Sequence, residues 1–579
     1  MKGYKYLVWG EDKQKVKSDP LEYKVRLEVT NRKKFITTNK VWEHNGVLLG
    51  ERNKSNDLKD LCLAFALFKL LRRRFFGLPI HEANKQKTKE LVLKGLIQNK
   101  NYDRAFEIIA AELAFLNDFF FTRYPVIFAR GFPFLRLALS LSVIGVALYL
   151  TVIFYHSSGR LADYLSKTSN GIAVTWILLL ILAVKEFCEM VFYVMSDWTK
   201  VVLISNYVQK PLWRRCTPIV CLAKLLCNCK IVKMRWHGIL WQYNLLQSFR
   251  YKVPQLSGFP LYTWTPRVFY KHLPGYQGSP RNTFLKEVKE AICKSLKELC
   301  EKPEDLDKYL SRVANSHHEH LDQKIPLTSE FATETQKILV WHLATCYCEI
   351  KLAKTSQNTQ TQSEYKAATA LSQYSAHLLV WCSHLLPGRS LVATRLFKYT
   401  LEETRNLLVG SCKSWGDVVD ELENLVKEND GGKDETKVSN DHKDAKEREQ
   451  NLSKRDRRRK KGPFQQDSVL SKRDRRRKKE QDRARVITNK IIRVGVKLGG
   501  SLFALLAENG TGDDTKLWKF LEEFWARYLL HLAALVSPDD HKKLLSEGGE
   551  FLTHVWALLS HAGVLVETEQ DPPSLSSSN

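Results

Sequence analysis

The sequence predicts an all-α membrane protein made of a transmembrane helical hairpin, largely helical cytosolic domains and a disordered basic linker. Three observations predict it. Leu137 to Tyr155 read LALSLSVIGVALYLTVIFY, nineteen residues without a charge, bracketed by Arg136 and Arg160. A second apolar run opens at Gly171. Over most of the remaining chain, apolar residues recur every three or four positions, the period of a helix with one buried face.

At 1.5 Å per residue the first run is about 28 Å long, close to the roughly 30 Å hydrocarbon core of a bilayer. Soluble helices rarely run that far without a charge. The second run, GIAVTWILLLILAVKEFCEMVFYVM, is uncharged from Gly171 to Val184 and then carries Lys185, Glu186 and Glu189. Fourteen clean residues alone would suit a re-entrant segment, but the first run precedes them across one short loop, which predicts a hairpin. The loop HSSGRLADYLSKTSN carries only Arg160 and Lys167 as cations. The flanks carry many more, among them Arg123, Arg130 and Arg136 upstream and Lys200, Lys210, Arg214 and Arg215 downstream. The positive-inside bias therefore puts both termini in the cytosol.

In that orientation Lys185, Glu186 and Glu189 fall in the inner leaflet. Lys185 and Glu189 are four apart and can pair on one helix face, while Glu186 points about 100° away, toward Met190 and Tyr193. Intramembrane carboxylates mark ion or proton pathways, and the competing reading is a local ion pair whose ends reach the headgroups. The depth favours the ion pair.

Net charge is +27, unevenly spread. The decapeptide LSKRDRRRKK occurs at Leu452 to Lys461 and again at Leu470 to Lys479. Its cations are Lys454, Arg455, Arg457, Arg458, Arg459, Lys460 and Lys461 in the first copy, and Lys472, Arg473, Arg475, Arg476, Arg477, Lys478 and Lys479 in the second. The surrounding stretch, 428–485, has too few apolar residues to offset its chain entropy and reads as disordered. Such an arm can be a solvated linker, it can contact anionic lipid or protein, or, less readily, it can serve as a nuclear-import signal or bind nucleic acid, since no aromatic residue lies inside either copy to read bases.

The rest reads as helices: Phe284 to Cys300, Phe331 to Leu352, Ala367 to Leu386, Leu391 to Lys427, Val486 to Leu506, Thr515 to Val536 and Asp540 to Leu559. Pro387-Gly388, Ser537-Pro538 and Gly548-Gly549 serve as breaks. Asp60 to Phe75, ending in Arg72, Arg73 and Arg74, suits an interfacial helix against the inner leaflet. Short strands fit only near the start, in Tyr4 to Trp9, Tyr23 to Val29 and Lys34 to Val41. The chain thus divides into 1–133, a hairpin at 134–198, a helical region at 199–427, the basic linker at 428–485, a helical module at 486–566 and a tail at 567–579.

Catalytic signatures are absent from the sequence: there is no GxxxxGK[ST] loop, HExxH, GxSxG or GxGxxG. His317-His318-Glu319-His320 reads as a polar loop, since adjacent residues point apart. Cys216, Cys221, Cys227 and Cys229 lack the paired short spacings of a zinc site and read as buried thiols or lipidation sites. His342 and His554 sit among apolar residues, as satisfied core histidines do. The opening MKGYKYLVWGEDKQKVKSDP has no signal-peptide h-region. The twelve cysteines are scattered and read as reduced cytosolic thiols, and three Asn-x-Ser/Thr sequons fall on the cytosolic side by coincidence. No catalytic residue, metal or cofactor is implied, and the partners expected are the bilayer and anionic lipid.

Several strings resemble one family: DLCLAFALFKLLRRRF (Asp60 to Phe75), AELAFLNDFFFTRYPVI (Ala111 to Ile127), VKEFCEMVFYVMSDWTKV (Val184 to Val201), ILVWHLATCYC (Ile338 to Cys348), LSQYSAHLLV (Leu371 to Val380) and GGEFLTHVWALLSHAGV (Gly548 to Val564). It is the plant membrane-protein family that pairs domain of unknown function four-two-two-zero with a C-terminal domain of unknown function five-nine-four. The resemblance implies a plant source and a multi-pass membrane protein of open activity. It also implies further apolar helices ahead of Tyr4 to Glu11, so this chain is expected to be a shortened or alternative product. The doubled decapeptide reads as an insertion. The expected function is a non-enzymatic, membrane-anchored scaffold or binding component. A transporter or channel subunit using Glu186 and Glu189 is the alternative, followed by polyanion binding.

Overall fold

The computed structural model describes residues 4–10, 15–19, 24–28, 35–44, 46–50, 56–78, 86–97, 102–129, 131–161, 169–228, 240–248, 276–278, 285–303, 305–317, 333–355, 362–388, 390–408, 417–430, 472–506, 514–547 and 549–565. The class is all-α, with three two-stranded antiparallel ladders among the described residues. Two compact units form: Met1–His237 with Pro538–Asn579, and Gly238–Ser537.

The first unit opens with β1 (Leu7–Trp9), the hairpin strands β2 (Lys15–Asp19) and β3 (Lys24–Glu28), β4 (Ile36–Thr37), which pairs with β1, and α1 (Thr38–Glu43). The stretch Lys34 to Val41, read as a strand, keeps only two strand residues before turning helical at Thr38. The next helix, α2 (Asn56–Arg74), is the centre of the unit. It buries residues on all sides, from Leu61 through Phe68 to Leu71, so it is a core helix and not the interfacial one expected. Its terminal arginines are used internally: Arg72 stacks over Phe119, and Arg74 donates to Ser560 Oγ and to the Leu565 carbonyl.

Helix α3 (Gln86–Glu90) runs into a π-helical turn, Leu91–Leu96, and α4 (Tyr102–Phe121) then packs along α2. Arg104 clamps Asp60 through two bonds of 2.7 and 2.6 Å. After the short α5 (Tyr124–Ile127) come α6 (Phe134–Leu161) and α7 (Ser169–Met195), which pack side by side, followed by α8 (Asp197–Gln209), α9 (Pro211–Arg215) and α10 (Thr217–Asn228). Ser196 starts α8 by accepting a bond from the Thr199 amide. Trp198, just inside it, packs edge-on against Phe65 and Phe115 and donates to Asp118.

The second unit contains β5 (Trp241–Tyr243), α11 (Leu245–Ser248), β6 (Tyr276–Gly278), α12 (Leu285–Glu301), α13 (Leu306–His317), α14 (Glu334–Thr355), α15 (Ser363–Trp381), α16 (Ser390–Leu408), α17 (Asp417–Asp430), α18 (Lys472–Leu506) and α19 (Thr515–Leu535). The β5–β6 ladder corrects the expectation that strands occur only near the start. Leu391 to Lys427, read as one helix, is two. The centre is α19, which packs on α12, α13 and α15 and buries Trp518, Phe524, Trp525 and Leu529; Phe524 stacks on Trp341 of α14, and Trp525 donates to Thr345 of the same helix. Helix α18 lies against α14 where it is stripped to glycine: a Cβ at Gly495 would sit 2.9 Å from Leu343 Cβ, and one at Gly499 would sit 2.7 Å from Tyr347 Cδ1.

The basic segment read as disordered, 428–485, is helical from Lys472 onward, in the first turns of α18. Lysine and arginine are good helix formers, and the helix is anchored downstream by buried Ile491, Ile492, Val496 and Leu502. The first decapeptide lies outside the described residues.

The chain then returns to the first unit through α20 (Pro538–Ser546) and α21 (Phe551–Ala562). Asp540 to Leu559 is therefore broken, at Gly549 with φ +80°. Gly563, also left-handed, closes α21, while the Val564 amide donates to the Leu559 carbonyl.

Candidate functional site

The charges singled out in the sequence converge where α6 and α7 meet. Arg136, in the first turn of α6, donates to Glu189 Oε2 at 2.6 Å and to Glu186 Oε2 at 3.2 Å. Ser140, one turn on and buried, donates to Glu186 Oε2 at 2.9 Å. Lys185 lies 2.9 Å from Glu186 Oε1 and 2.9 Å from Glu189 Oε1. Contact between the start of α6 and the end of α7 makes the two helices antiparallel.

The expected Lys185–Glu189 pair forms, but Glu186 does not point away from it. The four-carbon stem of Lys185 lets its ammonium reach both carboxylates, and Glu186 turns toward α6. Arg136 and Ser140 join the cluster from α6, which the pattern of α7 alone does not indicate. Their i, i+4 spacing at the start of one arm, opposite acids at the end of the other, is the signal an antiparallel hairpin supplies. Two cations balance two carboxylates, and all four carboxylate oxygens are engaged. Chemically this is a clasp that holds two helices in register.

Among the described residues one segment, Phe134–Ile153, is long and apolar enough to cross a membrane. Its outward side chains include Leu139, Leu141, Val146, Leu148 and Val152, all exposed. In α7 the exposed residues include Val174, Ile177, Leu178, Ile181 and Val184, and the charges that follow Val184 shorten its uncharged length.

The other candidates separate. His342 accepts the Leu245 amide at Nε2 (3.1 Å), which leaves the ring proton on Nδ1, where it faces Ser372 Oγ at 2.9 Å. That tautomer gives a proton to the serine and cannot take one from it, and burial pushes the imidazole pKa down to about 3. It is a satisfied core histidine. His554 likewise bonds the Glu550 carbonyl through Nδ1. Cys216 is half-buried, Cys221 exposed and Cys227 buried, with burial pushing the Cys227 thiol up to about 12, the opposite of a metal thiolate. Cys229 and His318 to His320 lie outside the described residues, as do Lys454, Arg455, Arg457, Arg458, Arg459, Lys460 and Lys461. Lys472, Arg473, Arg475, Arg476, Arg477, Lys478 and Lys479 belong to the first turns of α18.

Two buried ionic sites had no sequence signal. In the first unit His561 Nε2 lies 2.7 Å from Glu112 Oε1, linking α21 to α4. In the second, fully buried Arg527 of α19 donates to the Tyr309 carbonyl and pairs with Glu298 and Glu523.

A model described as Domain of unknown function (DUF4220) matches residues 1–249, and one described as Protein of unknown function, DUF594, matches residues 511–564. The chain belongs to the family that pairs these two domains. No curated protein and no solved structure matches it. The DUF4220 match takes in α1 to α11, reaching β5 and α11 of the second unit, and contains the whole clasp. The DUF594 match is divided by the fold: α19 belongs to the second unit, while α20 and α21 complete the first. Glu112 is a DUF4220 residue and His561 a DUF594 residue, so the two domains share one core.

Proposed function

We propose that this DUF4220–DUF594 protein is a membrane-anchored, non-enzymatic scaffold or binding component. In this reading α6 and α7 form a two-helix anchor with both chain ends in the cytosol. The carrying observation is the outward apolar face of α6, whose ionic contacts among the described residues gather at one end. In water that face would expose a leucine and valine surface along the helix, and in hydrocarbon the exposure carries no cost. The cation-poor loop between the helices and the basic flanks support the orientation.

The clasp supports an anchor over an ion pathway. A conducting or proton-carrying carboxylate needs free oxygen for its cargo, and Glu186 and Glu189 spend theirs on Arg136, Lys185 and Ser140. Anionic lipid, drawn to the flanking cations, is the partner this chemistry favours.

Protease protection on membranes tests the topology, with tags at both termini and in the loop at Ala162. The expected result is a protected loop tag, digested termini and resistance to carbonate extraction. A digested loop tag or release by carbonate overturns the reading. An ion flux that depends on Glu186 and Glu189 would replace it with a transporter.

A further inference from the structure

Helix α10 is apolar on both sides. Ala223, Leu226 and Cys227 are buried against the body of the first unit, yet Pro218, Cys221, Leu222 and Leu225 form an outward stripe, with Leu222 and Leu225 each 59% exposed. A surface helix ordinarily turns a polar face outward. Here the twelve residues contain one charge, Lys224.

Position and charge identify what covers that stripe. Helix α10 packs against α7 and α8, and Cys227 lies beside Lys200 and Asp197, at the first turn of α8. That is the end of α7 carrying the clasp, where the proposed anchor leaves the membrane. From Lys210 to Asn228 the charges are Lys210, Arg214, Arg215 and Lys224, with no acidic residue among them. Leu212, three-quarters exposed, extends the apolar surface into α9, and Lys210 stacks over the half-buried Trp213. An apolar stripe with a basic, tryptophan-bearing rim is the pattern of a helix lying in a membrane interface.

We propose that α10 is an in-plane interfacial helix. Pro218, Cys221, Leu222 and Leu225 enter the cytosolic leaflet, and Arg215 and Lys224 meet anionic headgroups. The inference rests on the anchor reading, and it gives the first unit a second, lateral contact with the bilayer that fixes how the unit sits on the membrane.

The test uses the full chain reconstituted in phosphatidylcholine and phosphatidylserine vesicles, with Cys188, Cys216, Cys229, Cys300 and Cys412 changed to serine. An environment-sensitive fluorophore is attached to Cys221. A companion chain carries Cys221→Ser and Val146→Cys and is labelled in α6. The expected result is blue-shifted emission at position 221 that is quenched by lipid with a shallow spin label, and at position 146 by lipid with a deep one. Water-like emission at 221 with a lipid-quenched 146 overturns the inference and leaves the anchor standing. Water-like emission at both overturns the anchor and the inference together. Blue-shifted emission at 221 that no spin-labelled lipid quenches means that protein, such as a second copy, covers the stripe, and also overturns it.

Discussion

His561 Nε2 and Glu112 Oε1 lie 2.7 Å apart with both side chains out of contact with solvent. Around them Phe551 stacks on Phe106 and Trp556 meets Phe75 edge-on, so the final helix of the chain is part of the core that α2 and α4 begin. Losing one partner of such a pair leaves the other polar and unmatched in an apolar surround. Glu112→Leu or His561→Leu should each destabilise the first unit by about 3–5 kcal/mol. The double change should cost clearly less than the two combined. Thermal unfolding of the four proteins in detergent checks this, and strictly additive effects would refute the coupling.

The clasp makes a prediction about sign. Arg136→Glu places three carboxylates against Lys185 and should lower the melting temperature of the detergent-solubilised protein. Adding Glu189→Arg exchanges the partners across the same gap and should recover most of the loss. If the exchanged pair melts no higher than Arg136→Glu alone, the contact between α6 and α7 is not what stabilises the hairpin.

Asp118 introduces a pH dependence. Burial and the nearby Asp197 push its carboxyl up to about 7, against the downward pull of the Trp198 indole bond. The folded state therefore holds this proton more tightly than the unfolded chain does, and stability falls as pH rises from about 4 to about 7, then levels. Asp118→Asn should flatten that part of the profile and raise stability at pH 8 by on the order of 2 kcal/mol. Denaturation of both proteins across pH 5 to 8 decides it, and parallel profiles would rule Asp118 out.

Gly499 sits where α18 crosses α14 too closely for any side chain. Gly499→Val should destabilise the second unit by about 1–3 kcal/mol through overpacking against Tyr347 and the Ala344 carbonyl. The exposed Gly145→Val in α6, with open space around it, should be neutral in the same melt.

Much of the helical pattern is legible in the sequence because it is local. Phe284 to Cys300 predicts Leu285–Glu301, and Thr515 to Val536 predicts Thr515–Leu535, since the apolar period and the breaks at Ser537-Pro538 need no knowledge of neighbours. The failures have a shared origin. Asp60 to Phe75 looks interfacial because its arginines follow an apolar helix, but Phe119, Ser560 and the Leu565 carbonyl receive Arg72 and Arg74. The second decapeptide looks disordered on composition, yet α18 carries its Lys472 to Lys479 as an extension of a helix that is buried further along. Glu186 falls on a separate face when its own helix is considered alone, whereas Ser140 and Arg136 on the neighbouring helix draw it in.

The amino-acid sequence by itself determined the helical class, the apolar run of α6, the identity of the charges at the end of α7 and the membership in the DUF4220–DUF594 family. These depend on spacing and composition over a few turns of chain. Tertiary structure alone decided that the charges form a closed clasp, that α10 rather than α2 presents an apolar face, and that the last two helices finish the core begun by the first. Each of those rests on side chains brought together from distant positions, Glu112 and His561 most of all, and no local pattern encodes which buried group will meet which.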